Sequence, residues 1–127
     1  MSKVKYTPAS AAHGVEQAFK MLEGRWKLVI LFHLFSGKLL RFSDLERAIP
    51  AISQKMLIQQ LRQMESDGIV RRIVHHQVPP KVEYGVTDWG QSLCPALDAI
   101  LKWAALRDEA SSAQPAPPAR KRTFKVD

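Results

Sequence analysis

The chain has little cysteine and no long apolar segment among its 127 residues. A single cysteine, Cys94, cannot form an internal disulfide framework and is typical of a protein kept in a reducing cytoplasm. No apolar run approaches the roughly 18 residues that a membrane-spanning helix requires, and no signal-peptide pattern is recognisable. These absences predict a cytoplasmic protein that does not enter a membrane.

Residues that would carry catalysis or hold a metal are also sparse. His75 and His76 are adjacent on a predicted strand, so their side chains point to opposite faces and cannot chelate one ion together. His13 and His33 have no cysteine or carboxylate at a metal-ligand interval. No phosphate-binding glycine loop and no nucleophile beside a base is recognisable. We therefore expect no enzyme activity, no cofactor and no metal site.

Basic charge and apolar residues, by contrast, are plentiful. The net charge is +7 and the hydrophobic content is 46%, which suits one domain with its own core and favours a polyanionic partner. We expect a flexible arm over residues 1–12, a folded domain over 13–108 and a disordered basic tail over 109–127. The tail is rich in proline and ends in a basic cluster: Arg120, Lys121, Arg122 and Lys125.

A short helix is predicted directly after Phe42. Ser43 is a good N-cap residue and Glu46, three residues later, would complete a capping box, so the helix is expected over 43–49. Pro50 ends it, because proline lacks an N–H and the residue before it disfavours helix. The turn 50–52 is then short enough to hold the next helix at a steep angle, as in a helix-turn-helix.

The second helix is expected over 54–66, between an N-cap at Ser53 and a stop at Gly68. Its buried face is predicted from apolar residues at helical spacing, namely Leu57, Leu61 and Met64. The opposite face carries groups that suit base edges and phosphates: Gln54, Lys55, Ile58, Gln59 and Arg62. Taken alone, such a polar face is also what an ordinary solvated helix displays.

A β-ribbon follows this helix and favours the nucleic-acid interpretation. Branched and aromatic residues predict strands over 69–74 and 82–86, and 39–42 is expected to add a third short strand. Pro79 and Pro80 cannot donate to a ladder, so the ribbon opens into a stiff loop, or wing. The ribbon and its wing carry a second basic group: Arg71, Arg72, His76 and Lys81.

The remaining helices are predicted from apolar periodicity. A first amphipathic helix leads to Gly24, and a second, expected over 25–35 and apolar nearly all round, should be the central buried helix. Thr87 should cap a last helix that Pro95 kinks. An apolar stripe this large favours a dimer, although the helix could instead fold back on its own core. The residues predicted for a dimer interface are Val15, Phe19, Leu22, Leu93, Leu97, Ile100, Leu101 and Trp103.

Several segments in this order resemble the HxlR family of winged helix-turn-helix transcriptional regulators, relatives of the MarR-like group. The resemblance covers about residues 13–107. It depends on GRWKLVILFHL (24–34), RFSDLERAIPAISQKMLIQQLRQMESDGIV (41–70), VPPKVEYGVTDWG (78–90) and the spacing of Leu93, Pro95, Leu97 and Trp103. The fold class expected is mainly α with a small β-wing.

The resemblance implies a homodimeric bacterial protein that binds double-stranded DNA. In such a protein the helix at 54–66 lies in the major groove, the loop at 76–81 follows the backbone or minor groove, and the first and last helices form the dimer contact. Ser53 and Lys55 are then expected on phosphates, and Gln54, Gln59 and Arg62 on base edges. The predicted function is a sequence-specific regulator, a repressor at a pseudo-palindromic operator. Activation and a protein-binding winged-helix scaffold remain alternatives.

One departure from the family concerns sensing. Several HxlR-like regulators carry a sensor cysteine just before the first helix, where this chain has His13-Gly14-Val15-Glu16. Cys94 is expected to be a buried packing residue, with a redox role at the dimer contact as the alternative. The resemblance to MarR-like dimers also leaves a small-molecule effector as a further alternative, although aromatic residues at helical spacing more often belong to a core. The residues that could line a cleft for it are Phe19, Trp26, Trp89 and Trp103.

Overall fold

The structure is a computed structural model that describes residues 5–113, with side chains described to residue 108. The chain falls into a central unit, Met21–Ala96, and a terminal unit made of the chain up to Lys20 and from Leu97 onward. In chain order the elements are α1 (Pro8–Leu22), α2 (Lys27–Leu34), β1 (Leu40–Arg41), α3 (Phe42–Ala48), α4 (Gln54–Ser66), β2 (Val70–His75), β3 (Lys81–Val86), α5 (Asp88–Gln91) and α6 (Leu93–Ala113).

The core of the central unit lies among α2, α3, α4 and the start of β2. The three residues of α4 predicted to be buried, Leu57, Leu61 and Met64, are buried. This confirms the apolar face inferred from their spacing. Burying a large aliphatic side chain contributes about 1.5–3 kcal/mol relative to leaving it exposed, so this cluster holds α4 in place. The core consists of Ile30, Leu31, Leu34, Leu45, Ile49, Ile52, Leu57, Leu61, Met64, Ile69 and Val70.

The second helix of the helix-turn-helix has the predicted bounds. Ser53 is its N-cap, and the Ser53 hydroxyl accepts a hydrogen bond from the backbone N–H of Met56 at 3.1 Å. At the other end the chain reverses at Gly68, whose φ of +82° is the left-handed conformation that glycine adopts without strain. Local capping and turn chemistry thus set both ends of α4.

The predicted start of α3 was wrong. The helix begins at Phe42 rather than Ser43, and Arg41 is its N-cap residue. The carboxylate of Asp44, not that of Glu46, accepts the N-cap hydrogen bond, from the backbone N–H of Arg41 at 2.8 Å. The physical reason is that β1 ends at Arg41, so the chain leaves the sheet and enters the helix without an intervening loop.

The sheet has the strand order β1-β3-β2 and is antiparallel throughout. Leu40 lies opposite Tyr84, which confirms the expected third strand beside the ribbon. In the ribbon, Val70 lies opposite Val86 and His75 opposite Lys81. The wing is the loop 76–80 between these strands, and its Val78–Pro79 peptide is cis.

The chain after the ribbon differs from the single kinked helix that the sequence predicted. Thr87 does cap a helix, because its hydroxyl accepts from the backbone N–H of Gly90 at 2.9 Å, but this is the one-turn α5. A separate helix, α6, begins at Leu93, so Pro95 lies in its first turn. Proline causes no kink there, since the first N–H groups of a helix have no intrahelical acceptor.

Both terminal helices extend beyond the bounds 13–108 predicted for the folded domain. The helix α1 begins at Pro8, where Thr7 and Ser10 exchange hydrogen bonds, Ser10 N–H to Thr7 Oγ1 at 3.1 Å and Thr7 N–H to Ser10 Oγ at 2.9 Å. The expected loose arm is therefore wrong for residues 8–12. Similarly, α6 continues through 109–113, and the expected basic cluster of the tail lies outside the described residues. Within the described part, no helix is long and apolar enough to cross a membrane.

The helix α2 is buried on one side only, whereas its composition predicted burial nearly all round. Ile30, Leu31 and Leu34 are fully buried, as expected for a central helix. Its other side exposes three large apolar side chains, with Leu28 37%, Val29 39% and Phe32 49% accessible. The expectation of a helix buried all round was wrong, because this central unit covers α2 on one side only.

Candidate nucleic-acid interface

The exposed face of α4 presents the residues that the sequence singled out. Gln54, Lys55, Gln59 and Arg62 are exposed, and Ile58 is 39% accessible among them. In the part of the chain that the structure describes, none of these four polar side chains makes a hydrogen bond or ion pair. Their donors and acceptors are therefore available to an external ligand.

One residue of this face was missed. Gln63 lines the same shallow groove as Gln54, Lys55, Ile58, Gln59 and Arg62. Its position, four residues after Gln59, would have placed it on this face by helical spacing. The partly buried Gln60 is not part of the groove, and the amide of its side chain donates to the sulfur of Met56 at 3.3 Å. We name the surface formed by the six groove residues the α4 face.

The register of the ribbon separates two arginines that the sequence treated alike. Arg72 is paired with Tyr84 and Arg71 with Gly85, and successive residues of a strand point to opposite faces. Arg72 lines a cavity together with Arg62 of α4, so it lies on the side of the sheet that faces α4. Arg71 lies on the other side, with its Nε 3.6 Å from where a Cβ on Gly85 would be.

A charge cluster at the base of the wing involves a residue that sequence reasoning missed. The side chain of Glu83 is only 14% accessible, and its Oε1 lies 2.7 Å from His75 Nε2 and 3.7 Å from Lys81 Nζ. His75 and Lys81 are cross-strand partners, and Glu83 joins them because residues two apart share a face. The positive charge of Lys81 is thus partly balanced within the protein. Alternation along β3 was the signal that could have found Glu83.

The wing itself is exposed. His76 is exposed directly after β2, and Val78 is 99% accessible at the tip. Of the basic residues predicted for the ribbon, the structure therefore places Arg72 toward α4, His76 on the wing, and Arg71 and Lys81 on the sheet face that points away from α4.

The residues predicted for the dimer interface fall into two groups. Five are exposed: Val15 51%, Phe19 58%, Ile100 45%, Leu101 60% and Trp103 69%. The other three are less exposed, and their place in a dimer contact stays a prediction. Leu22 and Leu93 are partly buried and pack against the central core, and Leu97 is buried.

The residues considered for sensing are also placed by the structure. Cys94 is a free, half-buried thiol in the first turn of α6. Trp26 is half-buried against the central core, and the guanidinium of Arg25 lies 4.5 Å from the centre of its ring. Phe19, Trp89 and Trp103 are each more than half exposed. An effector cleft lined by these aromatic residues stays a prediction.

Comparison with known proteins identifies the fold. The family model described as HxlR-like helix-turn-helix matches residues 21–112, most of the chain and all of the α3-α4 pair and the wing. The chain belongs to the HxlR-like helix-turn-helix family. The uncharacterized HTH-type transcriptional regulator YtcD of Bacillus subtilis (strain 168) is 49% identical over 105 residues, which cover 83% of this chain and 79% of that protein.

Solved structures of regulators resemble this HxlR-like chain closely. A transcriptional regulator of the MarR family from Enterococcus faecalis V583 superimposes with a TM-score of 0.81 and 31% identity, covering 89% of this chain and all of that one. The redox regulator HypR in its reduced form gives a TM-score of 0.69 and 38% identity, covering 80% of this chain and 99% of that one. The expected winged helix-turn-helix is thereby confirmed, and this HxlR-like protein is a DNA-binding transcriptional regulator.

Proposed function

We propose that the protein reads a pseudo-palindromic operator as a homodimer and represses transcription by occupying a promoter. The helix α4 enters the major groove, and the wing contacts the backbone beside it. The observation that carries this proposal is the α4 face, where exposed amide, guanidinium and ammonium groups without intramolecular partners lie on one side of a helix held by a buried core.

The roles on α4 follow from the chemistry of each side chain. Gln54, Gln59 and Arg62 present the donors and acceptors that pair with base edges, whereas Lys55 offers a point charge to phosphate. Ser53 lies at the N-terminus of the helix, where its hydroxyl already accepts from Met56 and can donate to a phosphate oxygen. Ile58 lies between these polar groups and offers an apolar contact, such as a thymine methyl group.

The ribbon supplies contacts of unequal strength. Arg72 lies on the α4 side of the sheet and is exposed, so it is the ribbon residue best placed to bind the backbone beside the groove that α4 enters. His76 is exposed on the wing and adds a contact farther out. Lys81 and Arg71 contribute mainly long-range attraction, Lys81 because Glu83 shares its charge and Arg71 because it is on the far face.

The exposed apolar residues of the terminal unit support a homodimer. A second copy of the chain is the occupant proposed for this surface, because most closed assemblies pair like surfaces about a two-fold axis. A two-fold axis also matches the symmetry of a palindromic operator. The proposed contact is formed by Val15, Phe19, Ile100, Leu101, Trp103 and Leu106.

Selection of bound fragments from random DNA duplexes tests this function. We expect enrichment of a sequence with two related half-sites, one or more helical turns apart, and a binding constant that falls steeply with salt. Footprinting of the enriched duplex should protect both half-sites. A library that yields no enriched sequence, together with weak binding that does not depend on salt, would contradict the proposal and favour a protein-binding scaffold.

A further inference from the structure

The α4 face changes in charge along the helix. Lys55 lies in the first turn, whereas Glu65 and Asp67 are exposed at the other end. DNA phosphates attract the ammonium and the positive N-terminal end of the helix, and they repel the two carboxylates. The part of α4 up to Arg62 is therefore suited to enter the groove, and Gln63 begins the part that phosphates repel.

The side chains of the entering part point in different directions. At about 100° per residue, Gln59 lies opposite the buried residues of α4 and projects straight outward. Ile58 and Arg62 lie toward the flank that faces the ribbon, since both line the cavity beside Arg72 and Gln59 does not. The three side chains thus reach different positions across the groove and can each contact a different base.

The chemistry of each side chain selects one base in the major groove. The amide of Gln59 has a donor and an acceptor side by side, which match N7 and the N6 amino group of adenine. The guanidinium of Arg62 has parallel donors, which match O6 and N7 of guanine. The side chain of Ile58 gains free energy only against an apolar group, and thymine presents one, its methyl group.

Helix geometry also sets the distance between the bases. Gln59 and Arg62 are three residues apart, which corresponds to about 4.5 Å along the helix axis. Successive base pairs are about 3.4 Å apart. A helix that lies along the groove therefore brings the two side chains to adjacent base pairs, and Ile58, next to Gln59 in the chain, lies at the same step.

We propose that each half-site of the operator contains an adenine and a guanine in adjacent base pairs, read by Gln59 and Arg62, and beside them a thymine whose methyl group contacts Ile58. This inference rests on the proposed function, which places α4 in the major groove, and adds which bases the helix selects. The part of the half-site that α4 reads is then richer in A·T than in G·C pairs.

Selection from random duplexes gives the first test. We expect the enriched half-site to contain this adenine, guanine and thymine within a few base pairs of each other. An enriched half-site without an adenine and a guanine in adjacent pairs would overturn the inference and leave the proposed function standing. The absence of any enriched sequence would refute both.

Base analogues in the selected duplex then assign each contact. The 7-deaza analogue of guanine or adenine lacks one acceptor, and uracil in place of thymine lacks only the methyl group. At fixed salt, the wild-type chain should lose affinity about fivefold for each deaza base and about threefold for uracil. Arg62→Ala, Gln59→Ala and Ile58→Ala should each abolish the loss for its own base and keep the losses for the other two.

Gln63→Ala is the matched control for Gln59→Ala, because it removes the same exposed amide one helical turn later. It should keep all three losses. A loss for 7-deazaadenine that disappears in Gln63→Ala and persists in Gln59→Ala would overturn the assignment of Gln59. Losses that persist in all variants, or a wild-type chain that tolerates all three analogues, would overturn the base reading while sequence selection still supports the proposed function.

Discussion

The two units of the protein differ in how many large apolar residues they bury, although the central unit also exposes Leu28, Val29 and Phe32 of α2. The central unit buries eleven apolar residues in one cluster and shows a polar face on α4. In the terminal unit, Leu97 is the one buried residue among the described side chains, while five predicted interface residues and Leu106 are exposed. A surface that exposes tryptophan, phenylalanine and leucine costs free energy in water, so the terminal unit is suited to association and the central unit to presenting polar groups.

The largest effect should come from the central core. Replacing Leu61 with alanine removes a side chain that is 1% accessible, and we expect the free energy of unfolding to fall by about 2–5 kcal/mol. Ile58→Ala, on the exposed side of the same helix, should change it much less. Urea unfolding at a fixed chain concentration measures both. Similar losses from the two variants would show that the two sides of α4 do not differ as described.

The second prediction concerns the apolar surface of the terminal unit. Leu101→Asp places a charge among exposed apolar side chains and should weaken dimerisation by about 2 kcal/mol or more, as at other interface hot spots. Light scattering across a dilution series measures the change in molar mass. Lys102→Ala is the control, because Lys102 pairs with Asp98 of its own helix at 3.0 Å. Wild-type chain that stays monomeric at high concentration would refute the dimer.

The third prediction tests the α4 face. Arg62→Ala removes a guanidinium proposed to read a base and should reduce the preference for the selected operator by about 1–3 kcal/mol. Binding to unrelated duplexes should fall less, so the ratio of the two affinities is the quantity to measure. An equal loss on all sequences would instead assign Arg62 to the backbone.

A smaller effect is expected at the N-cap of α4. Ser53→Ala removes the acceptor of the Met56 N–H and should lower the free energy of unfolding by about 1 kcal/mol. Ser43→Ala is the matched control, because Ser43 is an exposed residue inside α3 and not its cap, so its effect should stay within about 0.5 kcal/mol. Thermal unfolding monitored by circular dichroism separates them. A larger loss of stability from Ser43→Ala than from Ser53→Ala would contradict this and support Ser43 as the N-cap of α3, as the sequence predicted.

The smallest effect is expected from Lys81→Ala. Its ammonium lies 3.7 Å from Glu83, so part of its charge is balanced before DNA arrives. We expect all duplexes to lose affinity alike, by less than the loss from Arg62→Ala on the operator, with a slightly flatter dependence on salt. A large, sequence-selective loss would place Lys81 on base edges.

The helix-turn-helix could be predicted closely because its signals are local. Ser53, Pro50 and Gly68 act through the backbone of their own neighbours, and the buried face of α4 follows from spacing alone. The predicted start of α3 was wrong because either Asp44 or Glu46 could accept a hydrogen bond from the N–H of an N-cap residue three positions earlier. The pairing of β1 with β3 fixes where the strand ends, and so selects Arg41 and Asp44. The helix at Pro8 was missed, although a threonine before a proline is itself a local start signal.

The sequence by itself determined which residues are polar and periodic, and with them α4, its cap, its buried side and the candidate DNA-reading residues. Only the tertiary structure decided which side of the ribbon faces α4. As a result, Arg72 lines the same cavity as Arg62, whereas Arg71 lies on the other face of the sheet. The tertiary structure likewise brought Glu83 to Lys81 and His75, and left one side of α2 exposed. The physical reason is that helix caps and apolar spacing act over a few residues, whereas strand register and burial depend on groups far apart in the chain.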